Sequence, residues 1–130
     1  MIVLDTHVLI NDALDPARLS RRARAAIAEG QDEDRLACSD MSLWEIALLV
    51  ARGRVRVDTD PESFLASLIR ARSLRVLPIT PATAVLAQSD LFLHGDPADR
   101  IIAATALAHG APLVSADAQL RRIRKLKVIW

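Results

Sequence analysis

The chain has 130 residues, enough for one ordinary domain with a sizeable core, and its 52% hydrophobic content excludes a disordered polymer. A net charge of +1 excludes a uniformly basic nucleic-acid binder, and 3% aromatic content with no tyrosine argues against a stacking platform for single-stranded bases. The single cysteine, Cys38, rules out an internal disulfide and fits a reducing compartment, where it is expected as an inert core thiol.

Residues 2–4 form a short apolar run ending at Asp5 and read as a buried first strand. A short helical turn is expected over 7–14, broken by Asp15-Pro16. Apolar and alanine positions at helical spacing predict a helix over 19–29, with Gly30 as its stop, followed by a polar loop over 31–35. A second strand over 36–39 leads to an apolar helix over 41–52, ended by Gly53. Residues 54–58 alternate basic and apolar, which suits either an edge strand or an extended connector. A helix over 61–72 starts at Pro61, a third strand spans 76–79, and another helix, 81–89, starts at Pro81. A loop over 91–95 delivers the chain to Asp96-Pro97 and a helix over 98–109, stopped by Gly110. A fourth strand over 113–115, a short helix over 118–123 and a last strand over 128–130 complete the chain.

Strands that are continuous apolar runs, alternating with helices, imply a mainly parallel sheet covered on both faces. No linker, repeat or low-complexity tract divides it, so one domain over 1–130 is expected. No apolar run reaches the length of a membrane span, and the first residues read as a strand; a cytoplasmic protein with no membrane partner is the expectation.

In such sheets the functional crevice lies beyond the carboxyl ends of the strands, where strand order reverses. Asp5 and Asp117 each follow a strand, and Glu45 and Asp99 each open a helix that would start at the same edge. Each acid has a simpler role to weigh. Asp96 before Pro97 is a good N-cap, and Asp99, three residues on, would complete a capping box. Ser42 and Glu45 form the same S-x-x-E pattern, and Asp117 would cap the helix over 118–123. Asp5 alone has no such role, and a carboxylate at the end of a buried strand is costly unless something pairs with it.

As a set the acids are harder to explain by capping. Two like charges about 4 Å apart repel by roughly 4 kcal/mol at an effective dielectric of 20. Four carboxylates in one crevice therefore call for raised pKa values or a divalent cation. A carboxylate set without a His or Cys partner set suits Mg²⁺ or Mn²⁺ rather than zinc. His7, His94 and His109 show no ligand spacing with one another, and His109 suits a helix C-terminal turn. Such a metal site at a sheet edge implies phosphate chemistry, the ion lowering the pKa of a water and polarising the scissile phosphate. The hydroxyls of Thr6 and Ser115 stand next to these acids and would position water or a carboxylate.

With these residues the chain resembles a PIN-domain ribonuclease and, within that family, the VapC-type toxins of bacterial toxin–antitoxin pairs. Leu4-Asp5-Thr6-His7 resembles the family's first acidic motif, and Ser42-Leu43-Trp44-Glu45-Ile46 its second. Gly95-Asp96-Pro97-Ala98-Asp99-Arg100 resembles the third, and Leu113-Val114-Ser115-Ala116-Asp117 the fourth. Ala98 stands where an aromatic is common and Ser115 where a threonine is common; the second departure keeps the hydroxyl. The resemblance implies a PIN-like three-layer α/β/α sandwich with a mainly parallel sheet of order 3-2-1-4-5. It implies Mg²⁺- or Mn²⁺-dependent hydrolysis of RNA phosphodiesters, with Asp5, Glu45, Asp99 and Asp117 as catalytic metal ligands. Thr6, Asp96 and Ser115 would support those ligands from behind, Asp96 as a helix cap. It further implies a cognate antitoxin and a homodimer. Arg100, or one of the arginine clusters 18–24, 52–56, 70–75 and 121–124, is the candidate for holding the RNA backbone.

Two other readings stand beside this one. A phosphatase of the haloacid-dehalogenase type would use Asp5 as nucleophile but wants a second Asp two residues on, where this chain has His7. A catalytically silent PIN-like docking module would show itself by loss of acids, and all four are present.

Overall fold

In the computed structural model of the chain, which describes residues 1–92 and 95–130, the apolar runs become five short strands. They are β1 (Ile2–Leu4), β2 (Leu36–Ser39), β3 (Arg75–Leu77), β4 (Leu113–Val114) and β5 (Val128–Ile129). The sheet order is β3-β2-β1-β4-β5 and every pairing is parallel, which is the order 3-2-1-4-5 expected above. The helices among the described residues are α1 (Thr6–Leu14), α2 (Arg21–Asp32), α3 (Asp40–Ala51), α4 (Pro61–Ala71), α5 (Pro81–Leu86) and α6 (Pro97–Ala108). None is long and apolar enough to cross a membrane.

Alternation along each strand divides the core into two layers. Ile2, Leu4, Leu36, Cys38 and Val114 pack with Val8, Leu9 and Ile10 of α1, Ala23 and Ile27 of α2, Ile46 of α3 and Leu68 of α4. Val3, Ala37 and Leu113 face the other way, onto Ile102, Ala103 and Ala106 of α6 and onto Leu120, Ile123 and Leu126. The result is a three-layer α/β/α sandwich. Cys38 is fully buried, and burial pushes its thiol up to about 12, so it is unreactive at neutral pH.

Several boundaries differ from the sequence expectation for local physical reasons. Gly30 does not stop α2. It is a buried position two residues inside the helix, where an added Cβ would lie 3.1 Å from Leu36 Cγ and 3.3 Å from Ile2 Cδ1. Glycine is there for close approach of helix to sheet. Gly53 and Gly110, by contrast, follow the C-caps of α3 and α6 with φ of +69° and +59°, the left-handed conformation that only glycine adopts without strain. Residues 54–58 are a connector, not an edge strand, and 118–123 holds only a 3-10 turn at Leu120–Arg122. The loop expected over 91–95 is described at Leu91, Phe92 and Gly95; Leu93 and His94 lie outside the described residues.

Candidate active site

β1 has β2 on one side and β4 on the other, so strand order reverses at the β1–β4 pair. That is where a doubly wound sheet opens a crevice at its carboxyl edge. A cleft of about 340 Å³ lies there, lined by Asp5, His7, Glu45, Asp96, Asp99, Ala116 and Asp117. All four acids expected as ligands reach it.

Asp5 follows β1 directly and is 4% exposed. It is also the N-cap of α1, which corrects the expectation that it has no capping role. Its Oδ1 accepts the N–H of Thr6 at 2.8 Å, and its Oδ2 accepts the hydroxyl of Ser115 at 2.6 Å. Ser115, just past β4, also accepts the N–H of Asp117 at 3.1 Å through Oγ. One buried hydroxyl thus joins the ends of the two strands that flank the switch point. Asp117 Oδ1 accepts the N–H of Gln119 at 2.8 Å, so Asp117 caps the following turn as well as lining the cleft.

Glu45 is not in a capping box. The N-cap of α3 is Ser39, whose hydroxyl accepts the N–H of Met41 at 3.2 Å, so the helix begins earlier than residue 41 and Glu45 sits in its second turn. Ser42 is buried and takes up a different role: its Oγ accepts the hydroxyl of Thr6 at 3.1 Å, tying α3 to the start of α1. Glu45 Oε1 is buried with no hydrogen-bond partner among the described residues. Carboxylate oxygens of Glu45, Asp96 and Asp99 lie within 4.8 Å of one another.

Asp96 caps α6 as expected, its Oδ1 accepting the N–H groups of Ala98 at 2.9 Å and Asp99 at 3.2 Å, with Pro97 at the first helical position. The same carboxylate belongs to the three-acid group, a closeness the spacing of the sequence did not reveal. His7 is the other residue that sequence reasoning left out. It stands on the first turn of α1, exposed, at the cleft wall. Its place directly after Asp5-Thr6, where a strand turns into a helix at the crevice edge, was the available signal. Arg100 goes elsewhere: its Nε donates to the carbonyl of Ala87 at 2.9 Å and Nη2 reaches Gln88 Oε1 at 3.5 Å.

Burial raises the pKa of Asp5 above its ordinary value, against the lowering effects of Ser115, Thr6 and the charge of His7. Glu45 is raised for the same leading reason, with Asp5 and Asp96 adding repulsion. The Thr6 hydroxyl favours ionised Glu45 only when its one proton turns from Ser42, and burial outweighs it. Packed acids whose ionised forms are disfavoured hold a proton or, to stay ionised, need an outside positive charge, for which the carboxylates of Glu45, Asp96 and Asp99 are ready ligands. The donor set, all hard carboxylate oxygens, fits Mg²⁺ or Mn²⁺.

Comparison with known proteins agrees with this geometry. The family model described as PIN domain matches residues 2–126. The chain belongs to the PIN-domain family. A curated relative of this PIN-domain chain, Ribonuclease VapC22 of Mycobacterium tuberculosis, is 38% identical over 124 residues, covering 95% of the chain and 92% of the relative. Among solved structures, FitAcB from Neisseria gonorrhoeae is 26% identical with a TM-score of 0.68, covering 98% of the chain and 96% of its own. VapBC2 from Rickettsia felis, solved bound to a DNA fragment from its promoter, superposes with a TM-score of 0.70 at 18% identity, covering 98% and 97%, a likeness of fold.

Proposed function

We propose that this PIN-domain chain, acting as a single domain over 1–130, is a divalent-metal-dependent endoribonuclease and the toxin of a toxin–antitoxin pair. Asp5, Glu45, Asp99 and Asp117 hold the ion, Mg²⁺ or Mn²⁺. The observation that carries this reading is the approach of carboxylate oxygens of Glu45, Asp96 and Asp99 to within 4.8 Å of one another at the sheet's switch point, with Glu45 Oε1 buried and without a hydrogen-bond partner among the described residues. The likeness to Ribonuclease VapC22 over 95% of the chain supports RNA as the substrate. The likeness to Ribonuclease VapC22, together with the fold shared with a VapBC complex, supports a cognate antitoxin.

A bound divalent ion supplies activation of water and offsets charge developing on the phosphate oxygens. The chain's own part is to hold the acids in place before the ion arrives. Ser115 fixes Asp5 and, through the Asp117 N–H, the turn that carries Asp117. The Thr6–Ser42 hydrogen bond sets α3, and so Glu45, against α1. Asp96 orients the first turn of α6 and thereby Asp99; with Oδ1 accepting two backbone N–H groups, it is a positioning residue. The Thr6 N–H and the Ser115 hydroxyl fix the orientation of the buried Asp5 carboxylate, and each oxygen keeps a second lone pair for an ion; a phosphatase nucleophile would want a second Asp two residues on, where His7 stands.

The test is cleavage of total RNA by purified, antitoxin-free protein with Mg²⁺, with Mn²⁺ and with chelator, beside Asp5→Asn and Asp96→Asn. Cleavage that needs metal, is lost in Asp5→Asn and persists in Asp96→Asn is the expected result. Folded protein that binds Mn²⁺ but cuts no RNA would overturn the RNA substrate; failure to bind Mn²⁺ would leave a docking module.

A further inference from the structure

The cleft gathers five carboxylates, yet an RNA strand must approach it carrying a negative charge at every phosphate. One basic segment follows closely after Asp117, the last cleft-lining residue in the chain. From Leu120 to Lys127 the chain buries Leu120, Ile123 and Leu126 and leaves Arg121, Arg122, Arg124, Lys125 and Lys127 exposed. Three apolar residues at intervals of three anchor the segment to the α6 layer, so the cations are displayed on a fixed backbone. Arg121 Nη2 donates to the carbonyl of Ala116 at 3.2 Å, and Ala116 lines the cleft beside Asp117. The guanidinium is therefore tied to the backbone of a cleft-lining residue, next in the chain to Asp117.

Arg21, Arg22, Arg24, Arg52, Arg54, Arg56 and Arg75 also show no ion pair, but among the described arginines only the side chain of Arg121 bonds to a residue that lines the cleft. Four further arginines are already engaged. Arg72 pairs with Asp12 through two bonds of 2.8 and 2.9 Å, Arg18 with Asp15, Arg35 with Glu29 and Glu33, and Arg100 with the α5 end. Among the described residues no ion pair involves any of the five cations of the 121–127 segment. Five positive charges with no ion pair among the described residues, in a chain of net charge +1, are a strong local asymmetry.

We infer that this segment is the rail on which the RNA backbone lies, Arg121 binding the phosphate nearest the scissile bond and Arg122, Arg124 and the lysines the phosphates leading away. This replaces Arg100 as the backbone contact, and it rests on the ribonuclease reading above. Arginine's planar fork suits the position nearest the cleft, since it can hold the Ala116 carbonyl and a phosphate together.

The experiment measures binding of a labelled mixed-sequence single-stranded RNA in chelator, where nothing is cut, from about 50 to 200 mM salt. Wild type is compared with Arg121→Ala, with the triple variant R121A/R122A/R124A, and with Arg75→Ala at the opposite, amino edge of the sheet. Each single-strand phosphate contact contributes about 0.7 to the log–log salt slope. The triple variant is expected to lose about 2 from that slope and to bind at least ~10-fold more weakly at the lower salt, the gap narrowing as salt rises, with Arg75→Ala unchanged. Mn²⁺ affinity, read by calorimetry, stays at the wild-type value in all three variants; a role in merely bracing the Asp117 turn would move it and leave the slope alone. Unchanged slopes in protein that still cleaves RNA overturn the rail and leave the ribonuclease reading standing. Wild-type protein that neither binds nor cleaves RNA overturns both.

Discussion

Asp5 and Glu45 are acids folded into a place that disfavours their charge. Burial leads in raising both, so their folded pKa values lie above the unfolded ones. The stability they contribute is then fully present below their ordinary range, about pH 4, and is lost as pH rises through the raised folded values. Asp60 works in the opposite direction. Its carboxylate caps α4 by accepting the N–H of Ser63 at 2.9 Å, which lowers its pKa, so its contribution is present above its ordinary value and lost only at stronger acid. Between neutrality and about pH 4 the site acids therefore set the trend. Metal-free protein is expected to melt at a higher temperature at pH 5 than at pH 7.5, with the slope reduced in Asp5→Asn. Calorimetric scans across that range check it; a melting temperature that falls steadily below neutrality would show that burial of these two acids does not govern the pH response. Added Mg²⁺ should flatten the curve, because it favours the ionised form that burial opposes.

Helix α3 shows how an element was legible in outline and misread at its start. Its apolar run was plain, but Ser39, at the end of a strand, looked like strand, while Ser42 and Glu45 matched a capping box. The chain turns from β2 into helix without a loop, so the cap belongs to the strand's last residue, and Ser42 is freed to meet Thr6. Ser39→Ala is expected to cost about 1 kcal/mol through the lost cap. Ser42→Ala should cost a comparable ~1 kcal/mol but also loosen Glu45, so that only this variant lowers Mn²⁺ affinity. Urea unfolding with Mn²⁺ calorimetry separates the two. Gly30 was misread for a similar reason: a glycine near a helix end signals a stop, whereas here the missing Cβ makes room for Leu36 and Ile2, neighbours brought in by the sheet. Gly30→Ala is expected to destabilise by about 1–3 kcal/mol despite alanine's better helix propensity, since both neighbours are packed. A stability gain in urea unfolding would refute that account.

For the whole molecule, strand order does what no local motif can. The apolar runs and their alternation with helices made the parallel sheet readable, and the reversal at β1 then brings Asp5 and Ser115 within 2.6 Å although 110 residues separate them. Local spacing gave Asp96 as a cap but could not show its carboxylate close to Glu45, because that contact depends on α3 and α6 meeting at the crevice. The same dependence makes the metal a global stabiliser. The acids come from the ends of β1 and β4 and from α3 and α6, so an ion they share ties elements whose mutual placement exists only in the folded state. A ligand that binds only the folded chain adds about 2.7 kcal/mol at a hundredfold excess over its Kd. A hundredfold excess of Mn²⁺ is therefore expected to raise the melting temperature of the wild type by about 10 °C for a domain of this size. Asp5→Asn should lose most of that increment. Asp96→Asn should keep most of it, because asparagine caps a helix as well as aspartate does and Asp99 stays in place. Equal increments in the two variants would mean that Asp96 binds the ion on the same footing as Asp5. A larger loss in Asp96→Asn would move the ion's centre to the Glu45–Asp96–Asp99 group and make Asp5 the supporting residue.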